Sequence, residues 1–189
     1  MEKDARIRKS KSLLKQSLLT LMKKKSFIKI TIKELCEYAG LNRSTFYSNY
    51  EEINELLLDV HLDVFHEMSA SMGDSWKAPY ESSYQEHLES IIGILKYYQN
   101  NKSIIQLLLS NNYSNLFEKH LTDYYMKLYV QDNATYIDRY IFLYHTIGGF
   151  SLVYQWMRDK SPCLPEELAE LIYTMSNSAR EHMKLKEKV

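Results

Sequence analysis

Apolar residues recur at helical spacing along most of the chain. Ile7, Leu14, Leu18, Leu21 and Met22 fall on one face of a helix predicted over residues 4–24. Leu56, Leu57, Val60, Val64 and Met68 do the same from about Glu52 to residue 70, and Leu88, Ile91, Ile92, Leu95 and Tyr98 over 84–99. Further helices are predicted over 103–109, 115–130 and 136–158. A last one starts at Pro165, where proline in the first turn and Glu166-Glu167 suit the positive end of a helix. Asn100-Asn101, Asn111-Asn112 and Ser161-Pro162-Cys163-Leu164-Pro165 separate these segments. Residues 73–83, with Trp76 and Pro79, read as a loop. Only 5 Gly and 3 Pro leave little turn material for a β architecture, so an all-α fold is expected.

Between the first and fourth helices the pattern tightens. Thr31 to Tyr50 reads as two short helices joined by Ala39-Gly40-Leu41-Asn42. Thr31 and Glu34 have the spacing of a capping box, which marks the start of the first. Ile32, Leu35, Cys36 and Ala39 then share a face, and the small Ala39 lets the next helix cross closely. Gly40 can end that helix in the left-handed conformation, and Asn42 is a good N-cap for the next. Phe46 and Tyr50, four residues apart, anchor the second helix inward. Thr31, Asn42, Arg43, Ser44, Thr45, Tyr47, Ser48 and Asn49 supply groups able to meet base edges or phosphates. This is the arrangement of a helix-turn-helix, whose second helix enters the DNA major groove.

Charge sharpens that reading. The whole chain is neutral, yet residues 1–50 hold 12 Lys/Arg against 4 Asp/Glu, and residues 51–189 hold 12 against 20. The +8 half contains the motif, which is the electrostatic footprint of a phosphate binder. The −8 half would be repelled by DNA and should sit away from it.

The motif resembles the DNA-binding domain of the TetR (tetracycline-repressor-like) transcriptional regulators. A basic helix precedes Thr31-Ile32, Leu35, Ala39-Gly40-Leu41, Ser44-Thr45-Phe46-Tyr47 and Tyr50, and Leu56-Leu57 opens the next helix. One position departs: the family's usual Lys, three residues after the aromatic matched by Tyr50, is Ile53 here, behind Glu51 and Glu52. Weaker non-specific binding, or compensation by the first helix, is expected. Farther on, Asn101-Lys102, Leu107-Leu108, Phe117, Tyr144–Trp156 with Gly148-Gly149, and Pro165-Glu166-Glu167-Leu168-Ala169 are similar to the C-terminal domain of a TetR subgroup from low-GC Gram-positive bacteria.

The resemblance implies a helix-turn-helix domain over 1–50, a connecting helix over about 52–70, and a helical effector-binding and dimerisation domain over 71–189. It implies a homodimer whose last two long helices form a four-helix bundle with those of the second subunit. Gly148 and Gly149 would permit close approach, with Phe150, Leu152, Val153, Trp156 and Met157 as apolar surface. Two recognition helices about 34–36 Å apart then predict a near-palindromic duplex operator. The function expected is a repressor released by a small-molecule effector. The alternative is an activator or co-regulator controlled by a protein partner, without a ligand.

The remaining features set limits. Tyr140 to Met157 carries no formal charge but is too polar for a good bilayer helix, so burial is expected and no membrane role. Most of the 16 Tyr lie in the second half. Tyr97, Tyr140 and Tyr144 are candidates to line a ligand cavity, or else are core and interface residues. Cys36 and Cys163 form no CxxC and read as free thiols in a reducing cytoplasm. MEKDARIRK has no apolar run behind it, so no signal peptide is expected. None of the six His has metal-ligand spacing, and no P-loop, dinucleotide fingerprint or nucleophile elbow occurs. No metal, no cofactor and no enzymatic activity are expected.

Overall fold

Helical periodicity sets the architecture. A computed structural model describes residues 2–73, 83–110, 114–130 and 132–186, and among them all regular structure is helical. In chain order the helices are α1 (Glu2–Met22), α2 (Ile32–Ala39), α3 (Arg43–Tyr47), α4 (Ile53–Ser71), α5 (Tyr84–Asn100), α6 (Lys102–Leu109), α7 (Ser114–Tyr129), α8 (Tyr136–Arg158) and α9 (Pro165–Lys186). One short 3-10 turn, Phe27–Lys29, has no counterpart in the periodicity. Trp76, Pro79 and the Asn111-Asn112 break lie outside the described residues.

The chain packs as two units, Met1–Val64 with Ser103–Phe117, and Phe65–Lys102 with Glu118–Val189. In the first, α1 packs on α2 and α2 on α3. Leu14, Leu18, Leu35, Phe46, Leu56 and Leu57 are fully buried, each removal from water contributing about 1.5–3 kcal/mol. Ile7 is the exception on its face and stays exposed. Residues 103–117 close this core with Ile105, Leu108 and Phe117, whose ring meets that of buried His61 at 5.0 Å.

In the second unit α5 packs on α9, and α8 on α9. Both α5 and α8 start with full capping boxes, Ser83 with Glu86 and Thr135 with Asp138. Tyr84 and His87 set ring edges against Tyr173, and Lys96 pairs with Glu166 at 3.3 Å. Gly93 lies hard against the end of α4, where an added Cβ would sit 2.0 Å from the Ser71 carbonyl oxygen. The Ser90 hydroxyl donates to the Met72 carbonyl at 3.0 Å in the same crossing. No described helix is long and apolar enough to cross a membrane.

Candidate functional site

The turn between α2 and α3 forms because Gly40 adopts φ 65°, ψ 31°. That conformation lets the Leu41 N–H reach the Cys36 carbonyl at 2.9 Å and closes α2. At the other end, the Thr31 hydroxyl accepts from the Glu34 N–H at 3.2 Å. The Glu34 carboxylate is instead paired with Lys25, which ties the end of α1 to α2. Asn42 holds the N-cap position of α3, but its side chain makes no cap bond; the amide stays exposed.

Phe46 and Tyr50 are buried at the back of α3 and their rings meet at 5.7 Å. Arg43, Ser44, Tyr47 and Ser48 are exposed on the other side, Tyr47 at 58%. Two of the polar residues are engaged within the helix. The Ser48 hydroxyl and the Asn49 amide both donate to the Thr45 carbonyl, at 2.9 and 2.7 Å. They finish the last turn; Asn42, Arg43, Ser44 and Tyr47 are exposed, and Thr45 is half-buried. Thr31 remains exposed beside them in the chain order of the motif.

A polar knot fixes the end of α3. The Tyr50 hydroxyl donates to Asp59 Oδ2 at 2.6 Å. Lys15 reaches Asp59 at 3.0 Å and Asp63 at 2.7 Å, and Lys11 reaches Asp59 at 3.3 Å while lying over the Tyr50 ring. Burial alone would raise the Asp59 pKa, but the bonds from Tyr50 and Lys15 outweigh it and hold the carboxyl below its ordinary range. Burial would likewise lower Lys15, and its bonds to Asp63 and Asp59 outweigh that and raise it. Sequence reading missed this knot, because Lys11, Lys15 and Asp59 show only as helix-surface charges. Burial also pushes the Cys36 thiol up, so it stays protonated inside the motif.

The second unit holds a partly open cavity of about 620 Å³, its mouth at the start of α8 where Thr135, Tyr136, Ile137 and Asp138 are exposed. Its wall is mainly apolar, with Met68, Ile91, Leu121, Phe142 and Phe150 among the lining residues. The tyrosines on it are Tyr98, Tyr125, Tyr129 and Tyr136. None of the three expected tyrosines is among them. Tyr97 is buried elsewhere and donates to Glu67 at 3.0 Å, while Tyr140 and Tyr144 are 66% and 59% exposed. A helix shows a given residue type to core or solvent according to its face, and the composition that suggested these three does not encode that.

The residues expected at a subunit interface divide. Phe150, Val153 and Trp156 are buried within the chain, and the Trp156 indole N–H donates to the Cys163 carbonyl at 3.0 Å. Leu152 is half-buried, and an added Cβ at Gly148 or Gly149 would meet open space. Exposed apolar side chains include Tyr136, Ile137, Tyr140, Tyr144 and Ile147 of α8 and Leu171 and Met175 of α9.

Comparisons bear on both units. Residues 85–178 match the family described as "Transcriptional regulator C-terminal region", of TetR type. An uncharacterized HTH-type transcriptional regulator of Bacillus subtilis (strain 168), YxbF, is 20% identical over 169 residues, 88% of this chain. The chain spans 44% of that relative's length. A TetR transcriptional regulator from Streptococcus agalactiae 2603V superposes with a TM-score of 0.64 at 24% identity, covering 93% of this chain and 98% of the other. A putative TetR-family regulator from Syntrophomonas wolfei gives 0.61 at 15% identity, covering 91% and 95%. These two likenesses establish the fold.

Proposed function

We propose that this chain, which belongs to the TetR family of transcriptional regulators, is a homodimeric repressor that a small molecule releases from a near-palindromic operator. One observation carries the DNA-binding part of the reading. A short helix turns Arg43, Ser44 and Tyr47 outward from a basic unit while buried Phe46 and Tyr50 hold its back. Such a helix offers a bidentate Arg and a phenol to base edges without moving its own backbone.

Dimer formation is supported by the exposed apolar residues of α8 and α9. We assign the self-association surface to Tyr144, Ile147, Gly148, Leu171 and Met175, since Phe150, Val153 and Trp156 are taken up inside the chain. The partly open, mainly apolar cavity supports effector control over the alternative of a partner-controlled activator with a filled C-terminal core. A ligand acts by binding the DNA-fitting and non-fitting states with different affinity.

A gel-shift titration tests the assignment. Arg43→Ala and Tyr47→Phe should each weaken operator binding by about 1–3 kcal/mol. An unchanged titration with both variants removes α3 from the DNA contact.

A further inference from the structure

We propose that the cavity of the second unit takes an uncharged, largely apolar molecule with a planar or aromatic body, and rejects anions and cations of the same shape. This rests on the effector reading above for its biological meaning, but not for its chemistry.

The charge inventory of the wall is the first argument. Among the described residues, no Lys or Arg lines the cavity. A carboxylate or sulfonate seated against this wall would give up hydration on the sides that face it and meet no Lys or Arg among the described lining residues. Among the described lining residues the one carboxylate is Asp138, and it is already committed. Asp138 Oδ2 accepts from the Thr135 N–H at 2.9 Å and from the Thr135 hydroxyl at 2.7 Å, closing the N-terminus of α8. Those bonds hold its carboxyl below the ordinary range, so its charge serves the helix start. A ligand cation brought to it would face the positive end of the same helix. Among the described residues, then, no permanent cation lines the cavity and its one carboxylate is engaged, while the imidazoles of His87 and His145 complete its polar wall.

The second argument is what the wall offers instead. Tyr98, Tyr125, Phe142 and Phe150 give ring surface for a planar body. Burial pushes the Tyr98 and Tyr125 hydroxyls well above the usual phenol range, so both stay neutral. Thr146 and Ser176 add hydroxyls able to bond one or two polar atoms of a neutral guest. The volume of about 620 Å³ lies in the range of drug-sized ligand sites.

The test uses the full chain without DNA at pH 8. The neutral dye Nile red reports occupancy by fluorescence. Naphthylmethanol, naphthoate and naphthylmethylammonium, matched in shape, then compete for its place. The alcohol should displace the dye at a concentration about tenfold or more below either ion. Ile94→Lys, which puts an ammonium on the wall, should move the preference toward naphthoate. Equal or better displacement by naphthoate or by the ammonium in the unaltered chain overturns the proposal, as does failure of Nile red to bind. The competition needs no variant, so a misfolded Ile94→Lys protein leaves the test intact. DNA release is read separately. A chain that prefers the alcohol yet keeps its operator grip sinks the effector reading and leaves the ligand class standing.

Discussion

Asp59 receives Tyr50, Lys15 and Lys11 at once, so its removal unties α3 from α1 and α4. Asp59→Asn should destabilise the fold by roughly 1–3 kcal/mol, measured by thermal or urea unfolding. The pH dependence follows from the two shifts. A lowered Asp59 gives stability that is present above about pH 5 and lost as pH falls through its own lower titration. A raised Lys15 gives stability that is complete below about pH 10 and lost as pH rises beyond it. The gap between the unaltered chain and Asp59→Asn should therefore be flat in between and close in acid. A gap that persists at pH 3 contradicts the linkage. The outward position of Arg43 and Tyr47 was legible from residue type and spacing alone. The inward bonds of Ser48 and Asn49 to the Thr45 carbonyl were not, because the same hydrogen-bonding groups serve a helix end or a base edge.

Among elements, the crossing of α4 and α5 is the least forgiving. Gly93→Ala would set a methyl 2.0 Å from a backbone oxygen, so the helices must part, at a cost of about 1–3 kcal/mol or more in thermal unfolding. Gly148→Ala meets open space within the chain and should gain up to about 1 kcal/mol of helix propensity. If Gly148 lies at the subunit contact, Gly148→Leu will weaken dimerisation while leaving the fold intact, as light scattering against concentration would report. At the start of α4, Ile53→Lys should tighten DNA binding and steepen its salt slope by about one unit. A slope that does not change removes phosphate contact from that position. Helix existence was readable from the apolar period, and the capping boxes of Ser83 with Glu86 and Thr135 with Asp138 are what the structure adds at two of the starts. The end of α8 was readable only through its prolines. Lys160 and Ser161 take φ of 63° and 56° there, with the Ser161 N–H on the Trp156 carbonyl, a job for which sequence patterns lead one to expect glycine.

For the whole molecule, the +8/−8 division of charge was visible in the sequence, but it falls at residue 50, inside the first unit, which also takes in Glu51, Glu52, Glu55, Asp59 and Asp63. The helical order was visible too, because α-helix signals are local. The recruitment of residues 103–117 into the first unit was not, since it depends on long-range burial of Ile105, Leu108 and Phe117. For the same reason the cavity wall carries Tyr98, Tyr125, Tyr129 and Tyr136 in place of the tyrosines that composition suggested. Selection of bound duplexes from a random pool tests the central claim most directly. The unaltered chain should enrich a near-palindrome with half-sites about 10–10.5 base pairs apart, or a multiple of that, and Arg43→Ala should lose the enrichment. A pool with no enriched sequence, or the same sequences enriched by Arg43→Ala, would contradict the account.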